Sequence, residues 1–192
     1  HIIKKKLDFK YQGSELIYVE GEINQHLVNP YCNKTSGDGL IFRWLNHACV
    51  YVESNGVSFI TDPWLFGPAF LTGWWLEDPS TEDSLELLRK ADYVLISHNH
   101  PDHLHLETLN ILEKDKKIIV ADFKTKSAEK YLRANGFTNV LPLKFLNIYE
   151  IAPGFQVSLI KSGDFRDDSG CYLNVNGEQI LMTVDCNFLN SH

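Results

Sequence analysis

Four of the eight histidines in this 192-residue chain lie within eight positions, at residues 98, 100, 103 and 105. The segment that holds them reads Ser-His-Asn-His-Pro-Asp-His from residue 97 to 103. It directly follows an apolar run, residues 93–97, that is typical of a strand buried on both faces. The cluster is therefore expected in a loop at the carboxyl end of a strand, where open α/β folds place their ligands.

The spacing within this loop suits two adjacent divalent ions. Side chains alternate along an extended chain, so His98 and His100 are expected to point to one place, and Pro101 holds the backbone before it extended. Asp102 and His103 then turn toward a second position. Imidazole and carboxylate ligands fit zinc, iron or manganese better than magnesium or calcium. We expect two divalent metal ions, with zinc the first choice and iron or manganese as alternatives.

Composition limits the other classes of function. The net charge of −7 disfavours nucleic-acid binding, because phosphate-neutralising proteins are usually basic. No apolar run reaches 18 residues, so no membrane span is expected. Four scattered cysteines indicate reduced thiols and a cytoplasmic location. Met182 is the only methionine, which suggests a fragment or a processed product.

The order of predicted elements indicates a mixed α/β domain. Residues 1–39 are interpreted as an N-terminal segment or the end of an upstream domain, and residues 40–192 as the main domain. Strands come first, then strands alternate with helices, and strands return at the end, as in layered mixed sheets. Three helices are predicted. The first begins after Ser80, which would cap it, and the others cover residues 105–114 and 125–135. His105 is expected on the second helix, in a supporting or surface position.

The His-x-His-x-Asp-His motif at residues 98–103, placed after an apolar strand, resembles the signature of the metallo-β-lactamase superfamily. The resemblance covers about residues 40–190. It implies an αββα sandwich of mixed sheets, here incomplete at the C-terminus. It also implies that Asp62 is the buried aspartate after an early strand, and that Asp185 is the later aspartate that bridges both metals.

A narrower resemblance joins residues 62–70, which read DPWLFGPAF, with Gly73-Trp74-Trp75. This stretch is similar to the metallo-β-lactamase-fold part of the CMP-N-acetylneuraminate hydroxylase family. The sequence Asn46-His47-Ala48-Cys49 fits the same branch and implies that His47 borders the site and orients substrate. The aromatic side chains of the stretch have two interpretations, as packed core or as a wall of the substrate pocket.

The sequence departs from the superfamily pattern at three points. The loop before the strand near residue 171 carries carboxylates where the superfamily has a histidine; Asp164 is the expected metal ligand, with Asp167 and Asp168 as alternatives. Some superfamily members that activate dioxygen at two irons use a carboxylate there. His192 is not expected to serve as the superfamily's distal histidine. No Cys-x-His pair of a Rieske centre is present, so an oxygenase would need a separate electron-transfer partner.

The leading hypothesis is a dinuclear metal hydrolase in which a metal-bound hydroxide attacks an ester, lactone, amide or phosphodiester. His98 and His100 would hold one ion and Asp102 and His103 the other, while Asp102 also guides the proton of the water. The alternative is a two-iron oxygenase that hydroxylates a small molecule presented as a nucleotide-linked or phosphorylated conjugate. A third reading is a non-catalytic metal-binding domain of a larger protein.

Overall fold

The computed structural model describes residues 10–12, 15–17, 34–35, 39–163 and 166–187. Within these ranges the chain forms two main sheets that pack face to face, with short helices on the outer face of the larger one. The strands are β1 (Lys10–Gln12), β2 (Glu15–Ile17), β3 (Lys34–Thr35), β4 (Ile41–Asn46), β5 (Cys49–Ser54), β6 (Val57–Thr61), β7 (Tyr93–Ile96), β8 (Lys117–Ala121), β9 (Val140–Leu143), β10 (Tyr149–Ala152), β11 (Phe155–Lys161), β12 (Ser169–Val175) and β13 (Glu178–Met182). The helices are α1 (Glu82–Lys90), α2 (Leu106–Leu109) and α3 (Ser127–Ala134).

The larger sheet is mixed, with the strand order β3-β4-β5-β6-β7-β8-β9. Its first part is antiparallel, and a tight turn at Asn55-Gly56, both with positive φ, joins β5 to β6 as such hairpins require. From β6 to β9 the strands are parallel, because α1, α2 and α3 each carry the chain back between two of them. The carboxyl ends of β6, β7 and β8 therefore meet at one edge of the sheet.

The smaller sheet is an antiparallel meander of β10, β11, β12 and β13. Asn176-Gly177 forms the turn between the last two strands, again with positive φ at both residues. The strands β1 and β2 pair only with each other among the described residues. Most of the predicted N-terminal segment lies outside the described residues, so the domain boundary at residue 40 stays a prediction.

Alternating side chains of the parallel strands separate two cores. Val94 and Ile96 of β7 pack on the side of the helices, where Leu88 of α1 and Leu132 of α3 are fully buried. Leu95, between them in the sequence, packs instead with the apolar residues of the smaller sheet. The layers are thus helices, large sheet and small sheet, which confirms the predicted sandwich of mixed sheets.

The helix boundaries differ from the predicted ones for local reasons. α1 begins at Glu82 because the cap is Thr81, whose hydroxyl accepts a hydrogen bond from the Ser84 amide, rather than Ser80. The helix predicted over residues 105–114 is the single turn α2. None of the helices in the described ranges has both the length and the apolar character needed to cross a bilayer.

We predict that Phe59→Ala destabilises the protein by about 3–5 kcal/mol. Phe59 is fully buried, and its ring lies 5.8 Å from that of Phe155, so it joins the two sheets at the centre of their shared core. Urea unfolding followed by circular dichroism measures the change. Leu71→Ala is the control, because Leu71 is 99% exposed and its loss should cost less than about 0.5 kcal/mol. Equal stability of the two variants would contradict this account of the core.

Candidate metal centre

The predicted metal-binding residues meet at the edge where the parallel strands end. Asp62 directly follows β6, and its amide donates to the Leu95 carbonyl of β7 at 2.8 Å. The motif at residues 98–103 follows the buried strand β7 after a single residue, Ser97. Parallel pairing thus places the ends of two sequence-distant segments side by side, as ligand sites of open α/β sheets require.

His98 and His100 point to one place, as the alternation of an extended chain predicts. His98 is buried, and its Nε2 lies 2.8 Å from Nδ1 of His100. Two ring nitrogens at this distance can share a proton or face one cation. The pair therefore presents two nitrogen donors to a single position.

After Pro101 the backbone turns sharply. The amides of His103 and Leu104 both donate to the His100 carbonyl, at 3.0 and 2.8 Å. This turn brings Asp102 back beside the histidines, with its Oδ2 3.3 Å from Nε2 of His103. Both side chains are buried, so they form a second donor position next to the first.

Asp62 fixes the orientation of two of these rings. Its Oδ1 accepts from the Ser97 amide at 2.7 Å, and its Oδ2 accepts from the Ser97 hydroxyl at 2.7 Å. The same Oδ2 lies 3.0 Å from Nδ1 of His103. Since a carboxylate only accepts hydrogen bonds, Nδ1 of His103 carries the proton and Nε2 is directed to the site.

The Ser97 hydroxyl extends this control to the first histidine. Its proton is donated to Asp62, so its lone pair faces Nδ1 of His98 at 2.9 Å and holds the proton on that nitrogen. Nε2 of His98 is left for the site. Carboxylates that fix ligand histidines in this way raise metal affinity. Ser97 was missed at the sequence level, because a serine beside a motif carries no signal of its partner.

Asp185 lies between the two donor positions. Its Oδ2 is 3.6 Å from Nε2 of His98, 3.9 Å from Nδ1 of His100 and 3.6 Å from Nε2 of His103. These nearly equal separations suit the bridging role that the superfamily resemblance implies. The role itself stays a prediction.

Of the two loop aspartates that the structure describes, Asp167 and Asp168, it is Asp168 that lies beside His98. It is buried, with Oδ1 3.8 Å from Nε2 of His98 and Oδ2 3.4 Å from the Arg166 guanidinium. Asp167 instead accepts a hydrogen bond from the Thr125 hydroxyl. Asp164, the expected ligand, lies outside the described residues, as does His192.

His47 reaches the site from the opposite side. It occupies the tight turn between β4 and β5, and its Nε2 lies 3.0 Å from Oδ2 of Asp102. Its ring meets the buried ring of Trp64 edge-on, with centroids 5.1 Å apart. The predicted border position of His47 is therefore the one observed.

His105 lies at the N-cap of α2, one residue before the helix on which it was expected. Of the two positions expected for it, supporting or surface, the structure shows a supporting one. His105 is buried and caps α2: its Nδ1 accepts a hydrogen bond from the Thr108 amide. Its Nε2 lies 3.1 Å from the Pro68 carbonyl. His105 thus fastens the segment after β6 beside the motif.

The aromatic side chains after Asp62 were interpreted either as packed core or as a wall of the substrate pocket, and the structure separates them into a buried and an exposed group. Trp64 is buried, whereas Trp74 and Trp75 are more than half exposed. Residues 69 and 74 pair backbone to backbone, so the segment between them forms a small hairpin. Phe70 lies at its base, 6.5 Å from the ring of His100. The first part of the stretch is core, and the hairpin stands beside the donor cluster.

The donor atoms fit divalent cations. They form three groups in which all donor atoms lie within 4.8 Å of one another: His47 with Asp102 and His103, His98 with His100 and Asp168, and His98 with His103 and Asp185. Among the described residues, two buried atoms here lack any hydrogen-bond partner, Asp102 Oδ1 and His103 Nε2. Because unpaired buried polar atoms are costly, a bound cation would satisfy what the protein leaves open.

The electrostatics favour positive charge at this point. Burial lowers the pKa of His103, but the nearby carboxylates of Asp102, Asp185 and Asp62 outweigh burial and raise the pKa to about 12. The nearby rings of His103 and His98 hold the pKa of Asp185 well below its usual range. Burial raises the pKa of Asp102, yet its bonds to His103 and His47 lower it overall. In the metal-free protein a proton on His103 thus occupies the place of a cation.

A family model described as "Beta-lactamase superfamily domain" matches residues 42–167, more than half of the chain. The match includes Asp62 and the whole motif at residues 98–103. The chain belongs to the metallo-β-lactamase superfamily, as its sandwich of two sheets and its motif predicted.

Within the superfamily the chain is similar to cytidine monophosphate-N-acetylneuraminic acid hydroxylase. It is 36% identical over 149 residues to the protein of Asterias rubens and 34% identical over 148 residues to that of Mus musculus. Each match covers 74% of this chain but only 23% and 26% of the relatives. The chain therefore spans about a quarter of the length of these hydroxylases.

Solved structures share the fold. CmlA, a diiron β-hydroxylase from Streptomyces venezuelae, matches 82% of this chain and 31% of its own with a TM-score of 0.62 and 23% identity. A possible metal-dependent hydrolase from Veillonella parvula matches 72% of this chain and 60% of its own with a TM-score of 0.55 and 17% identity. The same architecture thus carries both oxidative and hydrolytic proteins.

We predict that Asp62→Asn lowers the affinity of the chain for zinc about 10- to 100-fold. The amide would place a donor against the proton of either His103 or Ser97. Chelator competition measures the affinity. Asp92→Asn is a matched control, because Asp92 also accepts from a serine, Ser58, through both its amide and its hydroxyl, but precedes β7 instead of following it. Equal affinities of Asp62→Asn and the unaltered chain would refute the role of Asp62.

We also predict that His103 keeps both ring protons at pH 9 in the metal-free chain. Its pKa is raised to about 12, whereas an ordinary histidine with a pKa near 6.5 is neutral there. Long-range ¹H–¹⁵N NMR reports the protonation of each ring nitrogen. Because the metal must displace this proton, metal affinity should rise as the pH rises toward this pKa. Titration of His103 near its ordinary pKa would contradict the prediction.

Proposed function

We propose that the chain forms the dinuclear metal centre of a hydroxylase that uses dioxygen. The observation that carries this proposal is the buried carboxylate of Asp168 beside His98 and His100, where the superfamily pattern has a histidine. Additional anionic oxygen ligands favour iron in higher oxidation states. The similarity to hydroxylases at 34–36% identity supports the same choice.

The described residues would divide between two iron ions. His98, His100 and Asp168 would hold one ion, and Asp102 with His103 the other. Asp185 would bridge the two. Bound iron would supply the redox chemistry that activates dioxygen, with electrons from a separate electron-transfer partner.

The protein's own part in the reaction is to orient and to exclude water. Asp62 holds the proton on Nδ1 of His103 directly and on Nδ1 of His98 through Ser97, so both Nε2 atoms stay directed at the centre. The burial of His98 and His103 keeps bulk water from one side of it. Asp102, whose Oδ1 has no hydrogen-bond partner among the described residues, is proposed also to receive a proton from the site.

The proposed substrate is a small sugar nucleotide. The curated relatives bear the name of an enzyme that acts on a cytidine monophosphate conjugate of a sugar acid. The exposed rings of Trp74 and Trp75, with Phe70 beside His100, offer flat apolar surface against which a sugar or base could pack. A wall of this kind would hold the substrate next to the metals.

Hydrolysis is the second candidate function. The same pair of ions could lower the pKa of a bound water to about 7 and direct the hydroxide at an ester or phosphodiester. The fold shared with a possible metal-dependent hydrolase favours it. A non-catalytic metal-binding role is the remaining alternative.

We propose a cytoplasmic location. The buried cysteines Cys49 and Cys171 are free thiols, and free thiols persist in reducing compartments.

The source of the product's oxygen atom separates the candidate functions. Hydroxylation takes one oxygen atom from dioxygen into a C–H bond and reduces the other to water with two electrons and two protons. We expect the iron-loaded polypeptide that carries this chain, supplied with CMP-N-acetylneuraminate and a reductant, to incorporate ¹⁸O from ¹⁸O₂ but not from H₂¹⁸O. Mass spectrometry measures the label. A cleaved product labelled from water, formed equally without dioxygen, would establish hydrolysis instead.

Two variants test the carboxylate that carries the proposal. Asp168→Asn should lower the iron-dependent rate at least about 10-fold, because it removes an anionic oxygen from the position beside His98. Asp167→Asn is the matched control, since Asp167 bonds Thr125 instead, and its rate should stay unchanged. If neither labelled product forms with iron or zinc, the non-catalytic reading is correct.

A further inference from the structure

We infer that His47 is itself a ligand of the second metal ion, together with Asp102 and His103. Neither the superfamily motif nor the two aspartates that the resemblance implies, Asp62 and Asp185, includes this residue, and the resemblance at residues 46–49 implies only a border position. The inference rests on the metal centre proposed above. It is independent of whether the reaction is hydroxylation or hydrolysis.

The separations around Asp102 are those of ligands on one ion. Oδ2 of Asp102 lies 3.0 Å from Nε2 of His47 and 3.3 Å from Nε2 of His103. Nitrogen and oxygen ligands lie about 2.0–2.2 Å from such an ion, so atoms at octahedral or tetrahedral angles are about 3.0–3.5 Å apart. All three donor atoms also fall within one cluster. The three side chains therefore outline one face of a coordination shell.

The turn that carries His47 is held in place before any ion binds. His47 has a φ of +42°, a region that non-glycine residues rarely occupy. Its amide donates to the Asn46 side chain at 3.0 Å, and its carbonyl accepts from the Trp44 indole at 2.8 Å. The Asn46 amide group in turn donates to the Asp78 carbonyl at 2.9 Å. Fixed ligands of this kind are what a metal site requires.

The ring itself is confined by its neighbours. Trp64 meets it edge-on at 5.1 Å, and the ring of His103 lies 5.4 Å away. The side chain is still about one third exposed, so the position is open enough for an ion to enter. Its Nε2, rather than Nδ1, is the atom directed at Asp102.

The competing account is that His47 only donates a hydrogen bond to Asp102 and positions it. The two accounts differ at one atom. A positioning residue keeps a proton on Nε2 when metal binds, whereas a ligand must present that nitrogen without its proton. They differ also for glutamine, whose amide can donate to a carboxylate but replaces an imidazole ligand poorly.

Cobalt(II) and zinc titrations of the metal-free chain test the inference. We expect the unaltered chain to bind two cobalt ions. Both His47→Gln and His47→Ala should keep the affinity for the first ion and lose at least about 10-fold for the second. Long-range ¹H–¹⁵N NMR with zinc should show Nε2 of His47 unprotonated and shifted. His105→Gln is the matched control, since His105 also neighbours Trp64, at 6.1 Å, but lies outside the donor groups.

The outcomes are distinct. Two ions bound by His47→Gln with unaltered affinity, or a proton retained on Nε2 of His47 in the zinc-loaded chain, would overturn the inference while leaving the metal centre intact. Failure of the unaltered chain to bind any ion would instead remove the centre, and the proposed function with it. Circular dichroism of each variant establishes that the chain is folded.

Discussion

The buried carboxylate of Asp62 is the interaction on which the site depends. It accepts three hydrogen bonds, from the amide and hydroxyl of Ser97 and from His103, and these compensate for burying a charge. Through them one side chain at the end of β6 sets the tautomers of two histidines after β7. The parallel pairing of β6 with β7 thus becomes a chemical constraint: a shift in register would separate the carboxylate from both rings.

The surplus of carboxylates explains why this arrangement calls for a cation. Four carboxylates converge on a few imidazoles, those of Asp62, Asp102, Asp168 and Asp185. Asp102 and Asp185 lie beside Nε2 of His103, and Asp62 lies beside its Nδ1. A proton on that ring relieves the repulsion in the metal-free protein. It sits on one nitrogen and leaves Oδ1 of Asp102 without a hydrogen-bond partner among the described residues. A divalent ion beside Asp102 could satisfy this oxygen, so the protonated state is an incomplete substitute for the loaded one.

Local spacing predicted the part of the site that local geometry governs. The alternation of side chains along the chain predicted that His98 and His100 converge, and the apolar run before them predicted the buried strand. The hydrogen bonds that connect Asp62 through Ser97 to His98 could not be predicted from the sequence, because they depend on pairing between segments 35 residues apart. Among the three loop aspartates, sequence position favoured Asp164, which lies outside the described residues and stays a prediction. Sequence position could not separate Asp167 from Asp168, whereas the structure places Asp168 beside His98 and Asp167 against Thr125.

The fold, too, could be predicted where local sequence patterns determine it and not where contacts between distant segments do. Layered mixed sheets were predictable from the order of elements, yet the helix expected after the motif is a single turn, because His105 caps it and Asn110 ends it. The strands β9 and β10 carry weaker apolar patterns and were not predicted; their partial exposure follows from their place at the edges of the two sheets.

The separation between the motif and the residues that other elements bring to it also bears on how one superfamily supports different reactions. The motif at residues 98–103 is fixed by the ends of β6 and β7, and both hydrolases and hydroxylases share that framework. What can vary without disturbing it comes from other elements: Asp168 before β12, His47 in the turn after β4, and the aromatic hairpin beside His100. Each is proposed here to add a donor or a wall to a centre that the sheet has already assembled. On this proposal the choice of metal and of reaction depends on residues outside the motif, so the motif identifies the superfamily and leaves the reaction undetermined.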